Sequence, residues 1–255
     1  LKTPDIQFRA MLHCFWPTFC EDYSMAEKSH LSPGHTKSMI GEFLGSAVLT
    51  GVVVGSGHIG EAMSMGLDSL ALLCNSLATA GALYVLILTL GPISGAHFNP
   101  IVTASAVGRK KWGNPTTWFT WSIQTLGCIT GAIVANLTYS LPAIDFSRDT
   151  RTTAAHLVSE VVATAGLLFV ITALVRRRRD DALPGAVAAY IGVAYFACSS
   201  TSFANPAITI GRMFTDTFAG IAPSSVVPFI AAQCVGGVLG VTLAKYLIDD
   251  SRDFQ

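Results

Sequence analysis

The chain has 255 residues, 51% of them hydrophobic and 13% charged, and its formal net charge is zero. Soluble domains carry about a quarter charged residues, so the composition argues for a lipid environment and offers no basic surface for nucleic acid. Six cysteines show no short paired spacing, and four of them sit in apolar runs, where a thiol is a small hydrophobe rather than part of a disulfide or metal framework.

Residues 1–37 mix polar and aromatic side chains without the long apolar core and small-residue cleavage site of a signal peptide, and read as a flexible cytoplasmic tail. Six apolar segments follow, at 39–57, 70–91, 116–137, 157–175, 184–201 and 225–248. Each is near the roughly 17–25 residues that a helix needs to span a hydrocarbon layer. Helix-start residues precede them: Ser38, Asp68 with Ser69, Asn114-Pro115, Pro184, and Ser224 with Ser225. Strands are disfavoured because an open sheet leaves backbone groups unpaired in lipid. Residues 249–255 form a short cytoplasmic tail.

Six spans put both ends on one side. With those ends in the cytoplasm, thirteen of the sixteen Lys and Arg residues fall inside, including the Arg176–Arg179 run, and only Arg148, Arg151 and Arg212 fall outside. That distribution fits the positive-inside rule and predicts a multi-pass protein of the plasma (inner) membrane.

The chain reads twice, as repeat one at 38–140 and repeat two at 155–248. His97-Phe98-Asn99-Pro100-Ile101-Val102-Thr103 answers Phe203-Ala204-Asn205-Pro206-Ala207-Ile208-Thr209, with the two asparagines 106 residues apart. Glu42 answers Glu160, and Gln124, Gly127 and Gly131 answer Gln233, Gly236 and Gly240. Three spans per copy make the second copy inverted, and inverted repeats place their site where the halves meet.

Asparagine is a good N-cap and proline suits the first helical position. Each Asn-Pro pair therefore opens a helix, over 99–108 and 205–214. Ten residues reach only ~15 Å, half the apolar thickness. Two re-entrant half-helices, entering from opposite faces and meeting N-terminus to N-terminus, satisfy both the length and the polarity. Their dipoles place about half a positive charge each at the meeting point, which repels cations. The Asn99 and Asn205 amides can donate to a neutral solute. No nucleophile, metal or cofactor is called for, and no enzyme signature is present.

These two boxes resemble the paired Asn-Pro-Ala boxes of the major intrinsic protein family, the aquaporins and aquaglyceroporins, and the likeness covers about residues 38–248. The resemblance implies an all-α membrane protein: a right-handed bundle of six transmembrane helices plus two re-entrant half-helices. It also implies a homotetramer with one pore per subunit, conducting water and small neutral solutes through the lipid bilayer. Asn99, Pro100, Ile101, Asn205, Pro206 and Ala207 would form the pore centre. Glu42 and Glu160 would brace the re-entrant loops, and His97 would line the inner vestibule.

Departures from the family pattern bear on selectivity. Ile101 replaces the alanine of the first box. Ile208 stands where the family usually places a filter arginine. Arg212 lies four residues further on, on the same helix face, either facing the pore nearer the outer mouth or bracing a loop or headgroup. Counting back from each box without gaps puts the other filter positions at Thr79 and Val193, and Ser202 matches the loop position. Small or apolar residues there predict a broadened filter passing glycerol, urea or neutral metalloid acids as well as water. The stretch Asn205–Arg212 resembles a bacterial branch sometimes linked to arsenicals. The alternatives are a strict water channel and a secondary transporter, which also uses inverted repeats and broken helices.

Overall fold

The computed structural model describes residues 33–248, and the described residues contain helices and loops but no strand. In chain order the helices are α1 (Pro33–Met63), α2 (Asp68–Ser94), α3 (Pro100–Val107), α4 (Pro115–Thr138), α5 (Ala154–Arg176), α6 (Leu183–Ala197), α7 (Pro206–Gly211) and α8 (Pro223–Leu247), with short 3-10 turns after α3, α5 and α7. The six expected spans are α1, α2, α4, α5, α6 and α8, and the two expected half-helices are α3 and α7. Residues 33–37, assigned to the tail from sequence, belong to α1. The remaining tail residues, 1–32 and 249–255, lie outside the described residues.

Four helices, α1, α2, α5 and α8, are long and apolar enough to cross a membrane by length and composition. Helix α4 has the length, but it carries Thr117, Thr120 and Gln124, all buried. The fifth span is shorter than the 184–201 expected. Helix α6 stops at Ala197, because the Ser199–Ser202 stretch turns into the lead-in to the second box. Its 15 residues lead directly into the re-entrant segment. Large apolar side chains such as Leu77, Val85, Leu88, Val227, Val238 and Leu243 stand exposed on the bundle exterior. A surface of that kind is at home against acyl chains and not against water.

The helix contacts repeat with the sequence. Helix α1 packs on α4 and α2, and α5 packs on α8 and α6. Small residues let the pairs approach closely. A Cβ at Gly131 would meet the Ala47 carbonyl oxygen at 2.1 Å, and one at Gly240 would meet that of Ala165 at 2.1 Å. Gly127 and Gly236 stand in the same way against the Phe43 and Val161 carbonyls. Small-residue contacts of this sort replace hydrophobic driving force inside a membrane. The half-helices cross between repeats: α7 packs on α4, and α3 packs on both α4 and α8.

Side chain and glycine exchange volume across the pseudo-twofold. The Phe98 ring fills the space beside Gly45, where a Cβ would sit 1.9 Å from it, and Ile101 fills the space beside Gly237, with Cγ2 2.5 Å from a Cβ there. The symmetry-related pairs are Ala204 with Ala163 and Ala207 with Cys128, all fully buried in one core cluster.

A substitution at Gly240 must displace backbone, whereas one at Gly237 meets a side chain. Overpacking a core costs about 1–3 kcal/mol and occasionally more. Gly240→Val is therefore expected to lower the thermal unfolding midpoint of the detergent-solubilised protein irreparably. Gly237→Ala should be largely restored by Ile101→Ala, and additive losses in that double variant would contradict the packing described here.

Candidate functional site

The two boxes meet. Asn99 caps α3 by accepting from Ile101 N at 3.0 Å through Oδ1. Asn205 caps α7 by accepting from Ala207 N at 2.9 Å and Ile208 N at 3.3 Å. Each amide then reaches across the pseudo-twofold. Asn99 Nδ2 donates to the Ala204 carbonyl at 2.8 Å, and Asn205 Nδ2 donates to the Phe98 carbonyl at 2.7 Å. Pro100 and Pro206 occupy the first helical positions. One amide N–H of each asparagine is thus used to join the boxes, and the other is left for a third group.

The loops that deliver the boxes are wound in an uncommon conformation. Ala96 and Phe98 have φ of 48° and 48°, and their counterparts Ser202 and Ala204 have 55° and 47°. Left-handed backbone at a non-glycine residue costs roughly 1–2 kcal/mol. Persistence of such strain requires that the surroundings over-determine it.

Two buried carboxylates do so. Glu42 Oε1 accepts from Ser94 Oγ at 2.7 Å and His97 N at 3.0 Å, while Oε2 accepts from Phe98 N at 2.8 Å and Gln124 Nε2 at 2.7 Å. Glu160 repeats the pattern with Ser200 Oγ at 2.6 Å, Phe203 N at 2.9 Å, Ala204 N at 3.0 Å and Gln233 Nε2 at 2.7 Å. Gln124 and Gln233 each pass a further bond to Thr103 and Thr209, both at 2.9 Å. Hydrogen bonds to a charged partner are worth about 1.5–3 kcal/mol each. Four per carboxylate offset the strain of the loop they hold. Gln124 and Gln233 entered the sequence reading only as repeat markers, and their pairing with the glutamates was not foreseen.

His97 sits half-buried, with Nδ1 3.2 Å from Thr103 Oγ1. Ile101 packs its Cγ2 into the space left by Gly237 on α8. Ile208 is buried in the core cluster together with Tyr195. Ser202 is buried, and its Oγ has no bonding partner among the described residues. Thr79 is buried and lies 3.1 Å from the hydroxyl of Tyr195.

Val193 is not where the gapless count places it. It stands 66% exposed on the outer face of α6, while Tyr195, two residues on and about 200° round the helix, is buried with its hydroxyl 3.1 Å from that of Thr79. A gapless count gives chain position and not which face of α6 a residue occupies, and the 198–205 lead-in beyond it is wound left-handed at Thr201, Ser202 and Ala204. That path is set by Glu160 and cannot be inferred from spacing.

Arg212 is buried, at 2% exposure. Its Nε donates to the Ala219 carbonyl, and its guanidinium carbon lies 3.5 Å from the centre of the Phe203 ring. It therefore braces the segment beyond α7 and does not reach out to a headgroup.

Replacing Glu160 by Gln would turn an NH2 group toward at least one of the donors it now binds. Glu160→Gln and Glu42→Gln are each expected to destabilise the solubilised protein by about 3 kcal/mol or more, read as a lowered midpoint in thermal unfolding. Unchanged midpoints would deny the carboxylates their bracing role.

Comparison with known proteins agrees with this geometry. The family model for the major intrinsic protein matches residues 29–204. The chain is 40% identical over 219 residues to the aquaglyceroporin AqpS of Rhizobium meliloti, covering 85% of this chain and 92% of that one. It is 28% identical over 240 residues to a probable glycerol uptake facilitator protein of Thermotoga maritima, covering 82% of this chain and 98% of that protein. The fold matches the X-ray structure of the aquaglyceroporin from Plasmodium falciparum with a TM-score of 0.67 at 23% identity, over 86% of this chain and 99% of that chain. Paired boxes, crossed half-helices and these likenesses converge: the chain belongs to the major intrinsic protein family.

Proposed function

We propose that the chain is a passive membrane channel for water and small uncharged solutes, with glycerol, urea and neutral metalloid acids in its range, and that it rejects ions. The observation that carries this reading is the junction of the two half-helices, where Asn99 and Asn205 tie the boxes together. Two helix N-termini face one point and oppose any cation there. A neutral solute exchanges its water for the free amide N–H groups and loop carbonyls. The strong likeness to an aquaglyceroporin supports a solute range wider than water alone.

Pore-centre roles go to Asn99, Pro100, Asn205, Pro206 and Ala207, with Ile101 as packing behind them. His97 lines the inner vestibule. The filter consists of Thr79, Tyr195, Ser202, Ile208 and Arg212, with Tyr195 in the place first assigned to Val193. The excess of basic residues on one side sets both termini in the cytoplasm of a plasma (inner) membrane, and the family suggests a homotetramer with a pore in each subunit.

A secondary transporter would need a carboxylate open to proton or cation exchange. Glu42 and Glu160 each already accept from four donors, which favours bracing over coupling.

Stopped-flow light scattering on proteoliposomes tests the reading with water, glycerol, urea and neutral arsenous acid. Flux should be non-saturating and weakly temperature-dependent; saturable counterflow would instead establish a transporter. Ile208→Arg is expected to lower glycerol flux about tenfold, equivalent to about 1.4 kcal/mol of barrier, and to lower water flux less. Tyr195→Val should raise the glycerol-to-water ratio, whereas Val193→Tyr should leave it unchanged. The reverse pattern at 193 and 195 would return the filter position to Val193.

A further inference from the structure

The segment joining the two repeats runs against the segment that follows α7, and residues 145–151 are laced to residues 213–225. Asp145 N donates to the Phe214 carbonyl at 3.2 Å, Ser147 N to the Met213 carbonyl at 3.1 Å and Ala222 N to the Asp149 carbonyl at 2.7 Å. Arg148 N donates to Asp216 Oδ1 at 3.0 Å, and Arg151 N donates to Ser225 Oγ at 2.9 Å. The result is a strap from the first half held across the outer end of the second.

At the end of this strap two arginines share one turn. Arg151 donates from Nε to the Gly220 carbonyl at 3.1 Å and from NH2 to the Phe218 carbonyl at 3.3 Å. The carbonyl between them, Ala219, accepts from Arg212 Nε. Three consecutive carbonyls are thus taken by two guanidinium groups. Both groups also lie over the Phe203 ring, Arg151 at 5.5 Å and Arg212 at 3.5 Å from its centre. Phe203 is itself fixed through its N–H to Glu160. Two like charges over one ring repel, and Asp149 counters one of them through an ion pair to Arg151 at 2.6 Å. The Arg151 side chain is 11% exposed and that of Asp149 49%, so the guanidinium is buried while its carboxylate partner is half open to solvent, where the pair itself is worth little.

We propose that Arg151, held by Asp149, is a positioning residue that sets the solute cutoff of the filter. It clamps the Phe218–Gly220 turn, and the turn fixes Arg212 by its Nε. Among the described residues Nε is the bonded nitrogen of Arg212; under this proposal the two terminal nitrogens are the groups that meet the passing solute, at a depth the turn fixes. With Ile208 in the usual arginine position, Arg212 reaches the filter from one turn further out and lacks the support of the half-helix proper. The clamp supplies that support. A lysine cannot replace Arg151, because one ammonium does not span two carbonyls as a planar guanidinium does. The proposal rests on the channel reading above.

The test uses full-length protein in proteoliposomes, with flux normalised to the amount inserted and the erythritol-to-water permeability ratio as readout. Arg151→Ala and Arg151→Lys should each raise the ratio about fivefold, the rate equivalent of roughly 1 kcal/mol, as the guanidinium of Arg212 loses its fixed depth. Arg212→Ala should raise it at least as much, and Arg151→Ala added to Arg212→Ala should raise it no further. Asp149→Asn, a milder change that keeps the turn, should move the ratio in the same direction and covers the case in which Arg151→Ala fails to insert. An unchanged ratio with flux merely reduced would make Arg151 a structural residue and overturn the proposal. Additive effects in the double variant would overturn it too, since Arg151 would then act independently of Arg212. Wild-type protein that passes neither water nor glycerol would overturn the channel reading itself, an outcome distinct from an unmoved ratio in a conducting protein.

Discussion

Two carboxylates in the interior of the bundle govern the rest of the molecule. A charge buried in a membrane protein is expensive and is retained for a task. Here the task is to collect four donors apiece and to hold two stretches of left-handed backbone that no other local force favours. Each glutamate stands on the first span of its repeat, and its glutamine partner stands on the third span, α4 or α8. The loop between the second and third helices is thereby pinned from both sides. Remove the acceptor, and the backbone N–H groups of Phe98 or Ala204 lose their partner at a depth where water is scarce. Geometry at the junction is a consequence of this arrangement, because the asparagines can only reach each other's loops when those loops are wound as they are.

The two halves are alike in backbone and unlike in volume. Phe98 with Gly45 and Ile101 with Gly237 occupy one half's versions of contacts that the other half makes with Ala204, Ala163, Ala207 and Cys128. Interiors are packed to crystal density, so a large residue on one side of a contact demands a small one opposite. The first box can therefore carry isoleucine instead of alanine without disturbing the junction. A departure that looks in the sequence like a lone change of the box is one member of a compensated pair with Gly237.

Much of this was legible beforehand. Six apolar segments, the doubled Asn-Pro box, the matched glutamates and the matched glycines all follow from period, length and spacing, and each corresponds to an element of the structure. What escaped the sequence depended on backbone path. Val193 and Tyr195 differ by two positions, and it is the Tyr195 hydroxyl that meets Thr79, a choice of helix face that counting along the chain does not make. The fifth span is shorter than its apolar run because that run does not show where Ser199 leaves the helix for Ser159 and Ser200 for the Glu160 carboxylate, each 40 residues earlier. Arg151 gave no signal beyond its charge, since its partners are carbonyls about 70 residues away.

The crossing of the half-helices bears on how the molecule comes into being. Helix α3 leans on α8, and α7 leans on α4, so each repeat finishes the other's re-entrant loop. While the chain emerges, the amide of Asn99 has to wait for the carbonyl of Ala204, which is synthesised more than a hundred residues later. Until then the Asn99 amide and the Phe98 carbonyl lack the partners that only the second half supplies, although Glu42 already holds the loop's N–H groups. The throat is consequently the last part to close, and a nascent chain stalled before α7 would sit in the bilayer as a set of spans enclosing no passage.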